Sequence, residues 1–131
     1  MGNLATGGAN GPVHKRTYLV DSGSTLVLGQ GVIKGATDGS VANPSGAGQR
    51  CEGVTEFVPF GTSAAAPIIR KGECIAICGA GGVSRGDYVK MDANGLFVTS
   101  TTAADEVAGR AVTSATTSGD QFVLDLDPFV F

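Results

Sequence analysis

Apolar residues along this chain fall in short runs, many of them alternating with polar residues, and turn residues separate one run from the next. The runs are rich in Val, Ile, Thr, Tyr and Phe, which favour β-strands, and the separators are mostly Gly, Asp and Asn. No stretch keeps the apolar period of about 3.6 residues that an amphipathic helix needs. The pattern therefore predicts an all-β fold built from many short antiparallel strands.

The predicted strands share β-branched or aromatic residues at alternating or consecutive positions. They are residues 17–20, 26–28, 32–34, 51–60, 68–69, 74–78, 88–91, 96–98, 106–112 and 121–126. Asn94-Gly95 stands between two of these runs, which is a strong signal for a tight hairpin. Residues 34–48 contain several turn residues and are predicted to form a loop.

An internal repeat relates the two halves of the chain at a constant offset of 56 positions. The matching positions hold a short strand, an Asx-Gly turn and a glycine in the next strand: 32–34 with 88–90, 38–39 with 94–95, and Gly53 with Gly109. Half of such a chain could not bury its apolar face alone. We therefore predict two related β-units, at about 25–70 and 81–126, packed into one domain.

The length of 131 residues favours a single domain. Residues 1–12 are rich in glycine and poor in apolar residues, so they are predicted to be a flexible N-terminal arm. Residues 13–131 are predicted to form one compact β domain, either a β-barrel or a β-sandwich. A jelly-roll-like arrangement fits the same pattern, so the strand order stays open.

Composition narrows the range of partners. Only 16% of the residues are charged and the net charge is −3, so the chain has no basic stripe for nucleic acid. No apolar run approaches the roughly 20 residues of a membrane span. The three cysteines are an odd number, which disfavours a closed disulfide framework. We expect protein partners, with no nucleic acid and no membrane.

The reactive side chains are few, and their spacing does not suit a metal site, a disulfide or a catalytic nucleophile. Cys74 and Cys78 would lie roughly 13 Å apart on a strand, too far for one metal ion or one disulfide. His14 is the only histidine, so a Ser-His or Cys-His nucleophile has little support. We predict no catalytic residues, no metal site and no cofactor, with the cysteines acting as small buried apolar residues.

One segment suggests an enzyme as an alternative. Asp21-Ser22-Gly23-Ser24 follows an apolar run and resembles the Asp-Ser/Thr-Gly motif of aspartic proteases, in which two carboxylates share a proton. A dimer of the retropepsin type would supply one Asp21 from each chain, and residues 107–110 resemble a second segment of those enzymes. The same residues also suit an ordinary turn in which the aspartate side chain binds the backbone.

Residues 71–126 carry a series of motifs that resembles the bacteriophage capsid decoration proteins, also called cement proteins. The series has an apolar strand, a Gly-Asp pair and a lysine around a second strand, an Asx-Gly hairpin, a Gly-x-Ala strand, and a Gly-Asp pair before a final apolar strand. Its members are residues 74–78, Gly86-Asp87, Lys90, Asn94-Gly95, 109–111, Gly119-Asp120 and 122–126. The first half of the chain matches only through the internal repeat.

The resemblance implies a viral structural protein without catalytic activity. Such a protein lies on the outer capsid surface of a virion assembled in the host cytoplasm. It binds the major capsid protein, clamps neighbouring subunits against internal pressure and so stabilises the head. It is commonly a homo-oligomer, a trimer or a dimer. Another phage structural part, such as a tail or fibre module, would share this composition and stays an alternative.

The expected contact elements lie outside the repeated framework. They are the N-terminal arm, the basic cluster that follows it, the loop at 34–48 and the aromatic C-terminus, whose phenylalanines need burial in this domain or in a partner. The expected partner-contact residues are Gly7, Gly8, Asn10, Pro12, His14, Lys15, Arg16, Asn43, Pro44, Phe129 and Phe131.

Overall fold

A computed structural model describes residues 14–56, 65–101 and 106–130. Within these ranges the chain has no helix and forms nine strands. The strands are β1 His14–Val20, β2 Gly31–Lys34, β3 Ser40–Ala42, β4 Gly53–Thr55, β5 Ala65–Ile77, β6 Tyr88–Met91, β7 Phe97–Thr99, β8 Glu106–Ala111 and β9 Gln121–Val130. The prediction of an all-β fold is confirmed. The predicted arm at 1–12 lies outside the described residues.

Strand β5 is 13 residues long and belongs to two sheets. Its first half, up to Lys71, pairs with β1 and β4, and its second half, from Gly72, pairs with β9. Gly72 has a φ of 110°, a backbone conformation that other residues rarely adopt. The glycine therefore lets a single strand change direction and serve both sheets.

The first sheet closes into a five-stranded barrel, which confirms the barrel prediction. Around it, β1 pairs with β3, β3 with β2, β2 with β4, β4 with β5, and β5 with β1 again. The β1–β3 pair is parallel and the other pairs are antiparallel. Strand directions cannot alternate around a closed ring with an odd number of strands. One pair of the barrel must therefore be parallel, and it is the β1–β3 pair.

The second sheet repeats this pairing scheme. From β5 it continues through β9, β8 and β6 to β7, with every pair antiparallel. A parallel bridge between Phe97 of β7 and Cys78, just beyond β5, brings the sheet back to its first strand, where the Gly79 amide donates to the Phe97 carbonyl at 2.8 Å. The predicted limits of the repeat units, 25–70 and 81–126, stay a prediction. The barrel also uses β1, which precedes residue 25.

Two glycines at equivalent positions let strands approach closely. Gly53 lies opposite Val32 in the barrel, and Gly109 lies opposite Val89 in the second sheet. A Cβ on Gly53 would lie 2.6 Å from the carbonyl oxygen of Ile69, and a Cβ on Gly109 would overlap the carbonyl of Asp125. Since real Cβ atoms do not come this close to backbone oxygen, both sites require glycine.

The apolar core has two clusters, and the larger one includes Val54 and Ile69 from the barrel strands. The barrel is filled by Tyr18, Leu26, Val32, Val41, Ala66 and Ile68. A larger cluster fills the second sheet and includes Phe97 and Phe122, whose rings meet edge to face at 6.3 Å. The two parts meet at Gly31, which has no room for a side chain beside Met91 and Phe97. Its amide donates to the Gly95 carbonyl at 2.8 Å, which fixes the contact.

Two local predictions were wrong. Residues 26–28 do not form a strand, because Leu26 inserts into the barrel while the Gln30 amide closes a turn on the Val27 carbonyl. Residues 34–48 contain strand β3, where Val41 is fully buried. The glycines and other turn residues around β3 hide its short apolar signal, and its pairing with β1 is not local.

Replacing Gly53 with Ala is expected to lower the free energy of unfolding by about 1–3 kcal/mol, because the new methyl group would force β4 away from β5. Gly46→Ala is the matched control, since a Cβ at Gly46 meets no atom within 4 Å. Urea unfolding of both variants measures the difference. Equal stability of the two variants would contradict the close approach of these strands.

The hydroxyl of Thr55 is buried and has no hydrogen-bond partner among the described residues. Thr55→Val removes it without changing shape, so we expect the free energy of unfolding to rise by about 1 kcal/mol. Thr99→Val should instead lower the free energy of unfolding, because the Thr99 hydroxyl donates a hydrogen bond to Asp87 at 2.9 Å. Chemical denaturation of the pair is the measurement, and a loss of stability in both would refute the expectation for Thr55.

Candidate interaction surface

The basic cluster predicted as a contact element lies on strand β1. The side chains of His14, Lys15 and Arg16 are all exposed. The ammonium group of Lys15 lies 3.0 Å from the carboxylate of Glu56, and the guanidinium of Arg16 lies 5.5 Å from the ring centre of Tyr18. Because consecutive residues of a strand point to opposite faces, Lys15 and Arg16 lie on opposite faces of β1.

The cluster begins where the two sheets join. His14 pairs with Lys71, and the next position of β5, Gly72, pairs with Leu126 of β9. The ammonium of Lys71 lies 3.8 Å from the Asp127 carboxylate, which is close to the end of β9. The start of β1 and the last part of β9 therefore lie at adjacent positions along β5.

The other predicted terminal residues are less fully described. The backbone of Phe129 pairs with Val107, so this part of the chain continues strand β9. The predicted contact residues Gly7, Gly8, Asn10, Pro12 and Phe131 lie outside the described residues.

Asn43 and Pro44 lie at the opposite end of the barrel from His14. Because β1 and β3 are parallel, the end of β3 lies beside the end of β1, one strand length (roughly 20 Å) from the basic cluster. The Asn43 side chain accepts the Thr25 amide at 2.8 Å and donates to the Thr25 carbonyl at 2.9 Å. Asn43 thus connects two loops, and the structure separates it from the basic cluster.

Asp21, the catalytic candidate of the protease alternative, has a turn role. Its carboxylate accepts the Ala36 amide at 2.9 Å, and its carbonyl accepts the Ser24 amide at 3.1 Å. The second protease-like segment, residues 107–110, lies on β8 in the other sheet, where Gly109 packs against Asp125. Both segments therefore have structural roles, in different sheets.

All three cysteines are free and buried. Burial raises the pKa of the Cys51 thiol to about 12, and burial likewise raises the pKa of the Cys74 thiol. The Cys78 thiol donates to the Thr117 carbonyl at 3.0 Å. Over the ranges 14–56, 65–101 and 106–130, no three His, Cys, Asp or Glu side chains are grouped to hold a metal ion. The same ranges contain no helix that could cross a bilayer.

Sequence reasoning missed a band of apolar side chains on the outer face of the second sheet. Ile75 on β5 is 41% exposed and lies directly opposite Val123 on β9. Val112, which follows β8 and is 36% exposed, donates its amide to the Val123 carbonyl at 2.8 Å. These three residues, which we call the apolar row, form a continuous stripe across β5, β9 and the residue that follows β8.

A second line of residues, the charged row, runs beside the apolar row. It consists of Glu73, Asp125, Arg110 and Tyr88, each directly opposite the next on a neighbouring strand. The guanidinium of Arg110 lies 5.9 Å from the ring centre of Tyr88, and its Nε donates to the Gly86 carbonyl at 3.1 Å. Arg110 is therefore drawn toward Tyr88, while Glu73 and Asp125 face one another as like charges.

A signal for both rows is present in the sequence. On β5, Cys74 and Ala76 point inward and Ile75 points outward; on β9, Phe122 and Leu124 point inward and Val123 is half-buried. The period of two shows which residues share a face, but only the pairing register shows that Ile75 and Val123 are neighbours.

Neither the protein-family models nor the curated proteins compared with this chain match it. A role for these surfaces therefore depends on their geometry and on the motif series of residues 71–126.

Alkaline pH is expected to destabilise the protein through its buried thiols. Cysteine in the unfolded chain loses its proton above about 9.0, whereas folded Cys51 keeps its proton up to about 12. Between these values the unfolded state binds fewer protons than the folded state, so stability falls as pH rises. Each such thiol should raise the unfolding equilibrium constant by about tenfold per pH unit.

The measurement is urea unfolding at a series of pH values from neutral to alkaline. Cys51→Ala should flatten the decline relative to the unsubstituted protein, and the comparison of slopes cancels the other groups that titrate in this range. Parallel slopes in the two proteins would contradict the assignment.

Proposed function

We propose that this chain is a bacteriophage capsid decoration protein that binds the outer surface of the major capsid protein shell and stabilises the head. The observation that carries the proposal is the position of the motif series. Every member lies in a strand or a turn of the second sheet, so the whole series belongs to one structural unit. The strands concerned are the second half of β5, β6, β8 and β9.

The turns of the series have the backbone that the motifs require. Gly86, Gly95 and Gly119 all have positive φ, at 92°, 80° and 97°. The carboxylate of Asp87 accepts the Ser84 amide at 3.1 Å, and that of Asp120 accepts the Thr117 amide at 3.3 Å, so each Gly-Asp pair closes its own turn before a strand. These features support the motif series as a structural signature, since glycine and aspartate have defined roles in it.

The framework also suits a protein that works by attachment. Two sheets share one continuous strand, and the basic cluster begins at their junction. Binding at many symmetry-related places on a shell adds up even when each contact is weak. A decoration protein that bridges neighbouring capsid subunits raises the cost of separating them. Its homo-oligomeric state, its site on the virion surface and its assembly in the host cytoplasm belong to the same proposal.

The test adds the purified chain to undecorated, expanded shells of the major capsid protein encoded in the same genome. We expect saturable binding at symmetry-related positions on the outer surface, seen by cryo-electron microscopy, and a higher melting temperature of the decorated shells. Removing residues 1–12 should leave the circular dichroism spectrum unchanged and weaken attachment. Arg16→Glu should also weaken attachment by reversing charge in the basic cluster.

Arg85→Glu is the matched control, since Arg85 is an exposed arginine in a turn of the second sheet, away from the basic cluster. It should bind shells as the unsubstituted chain does. Absence of binding to shells, or density for the chain only at the tail of intact virions, would overturn the proposal, and the second result would favour a tail or fibre module. Unchanged occupancy after both contact-element changes would exclude those elements as the attachment site.

A further inference from the structure

We propose that the outer face of the second sheet, formed by the apolar row and the charged row, is the surface through which two copies of this chain associate. The two copies pack face to face and are related by a two-fold axis. This axis lies between the copies, parallel to the strands, and passes over the line between β8 and β9. This deepens the oligomeric part of the proposed function by naming the surface and the symmetry.

The apolar row is the first reason. Ile75 and Val123 are neighbours on paired strands and Val112 lies beside Val123 just after β8, so their exposed surfaces merge into one stripe. Single exposed apolar residues are common on proteins, but a continuous stripe on the outer face of a sheet is a feature of contact surfaces. Face-to-face packing of two sheets would cover this stripe with side chains of the same kind.

The charged row is the second and more specific reason. Glu73 and Asp125 lie directly opposite one another, and like charges in that position destabilise a sheet. Among the described residues neither carboxylate is in a salt bridge, because Arg110 leans toward Tyr88 on the other side. A partner that places a positive charge near Glu73 and Asp125 would therefore offset the repulsion between these two carboxylates.

The charge pattern of the row is complementary to itself when reversed. Across the strands it reads negative, negative, positive and neutral, at Glu73, Asp125, Arg110 and Tyr88. A two-fold axis between β8 and β9 reverses this order in the second copy. Asp125 of each copy then faces Arg110 of the other, and Glu73 faces the uncharged Tyr88. Within this row, no like charges face each other directly.

The same axis aligns the apolar row. It places Val112 of one copy over Val123 of the other, at the centre of the contact. The charged pairs then lie about 7 Å along the strands from this centre, since residues on one face are spaced two positions apart. The stripe is small compared with the interfaces of stable dimers, so we expect association in the micromolar to millimolar range.

The experiment is analytical ultracentrifugation of the full chain over that range, without capsid shells. The expected result is a monomer–dimer equilibrium. Val112→Asp should weaken it by at least about tenfold, because a charge is buried at the centre of the contact. Leu19→Asp is the matched control, since Leu19 is 54% exposed but lies on the barrel, and it should leave the equilibrium unchanged.

A charge exchange between copies tests the symmetry itself. Asp125→Arg alone places two arginines opposite each other, and Arg110→Asp alone places two aspartates opposite each other, so each variant should be monomeric. Mixing the two variants restores both ion pairs and should restore the dimer. This rescue also shows that each variant is folded, because a damaged sheet would not dimerise with its complement.

A wild-type chain that stays monomeric over the whole range, a trimer, or a mixture that fails to dimerise would overturn the proposal. So would a Val112→Asp variant that associates like the wild type. Because no shell is present, failure of self-association and failure of capsid attachment are separate results.

Discussion

The structure depends on the continuity of strand β5, Ala65–Ile77, which supplies the last strand of the barrel and the first strand of the second sheet. Hydrogen bonds to β1 and β4 fix its first half, and hydrogen bonds to β9 fix its second half. A shift of register in either half would move the other half by the same amount, because the strand is one piece of backbone. The two cores are therefore expected to form and to melt together, as a single cooperative unit.

Closure is the second constraint, and it explains where sequence reasoning succeeded. Short strands and tight turns are encoded locally, so β2, β6 and the turn at Asn94-Gly95 could be predicted from the residue types alone. The pairs that close each sheet are not local in sequence. β1 pairs with β3 although β2 lies between them in the chain, and β7 lies beside the end of β5. The residues around Ser40–Ala42 carry no local signal for this pairing, so the sequence predicted a loop where β3 lies.

The interaction surface shows the same division. The basic residues His14, Lys15 and Arg16 could be chosen from sequence, because adjacent charges at the start of a strand are visible without a fold. The apolar row could not, because Ile75 and Val112 look like ordinary strand residues until the register places them beside Val123. Whether a strand residue is core or surface depends on which face of the sheet is covered, and that is a property of the whole arrangement.

Because β5 is shared by both sheets, the same pairing scheme could in principle be extended by another sheet. The fifth strand of the barrel is the first strand of the next sheet, so the second sheet required four new strands, β6 to β9, and reused the fifth. A further copy of the scheme could begin on β9 in the same way. The fold is thus a chain of overlapping modules, in which lengthening by duplication creates no linker and no separate domain.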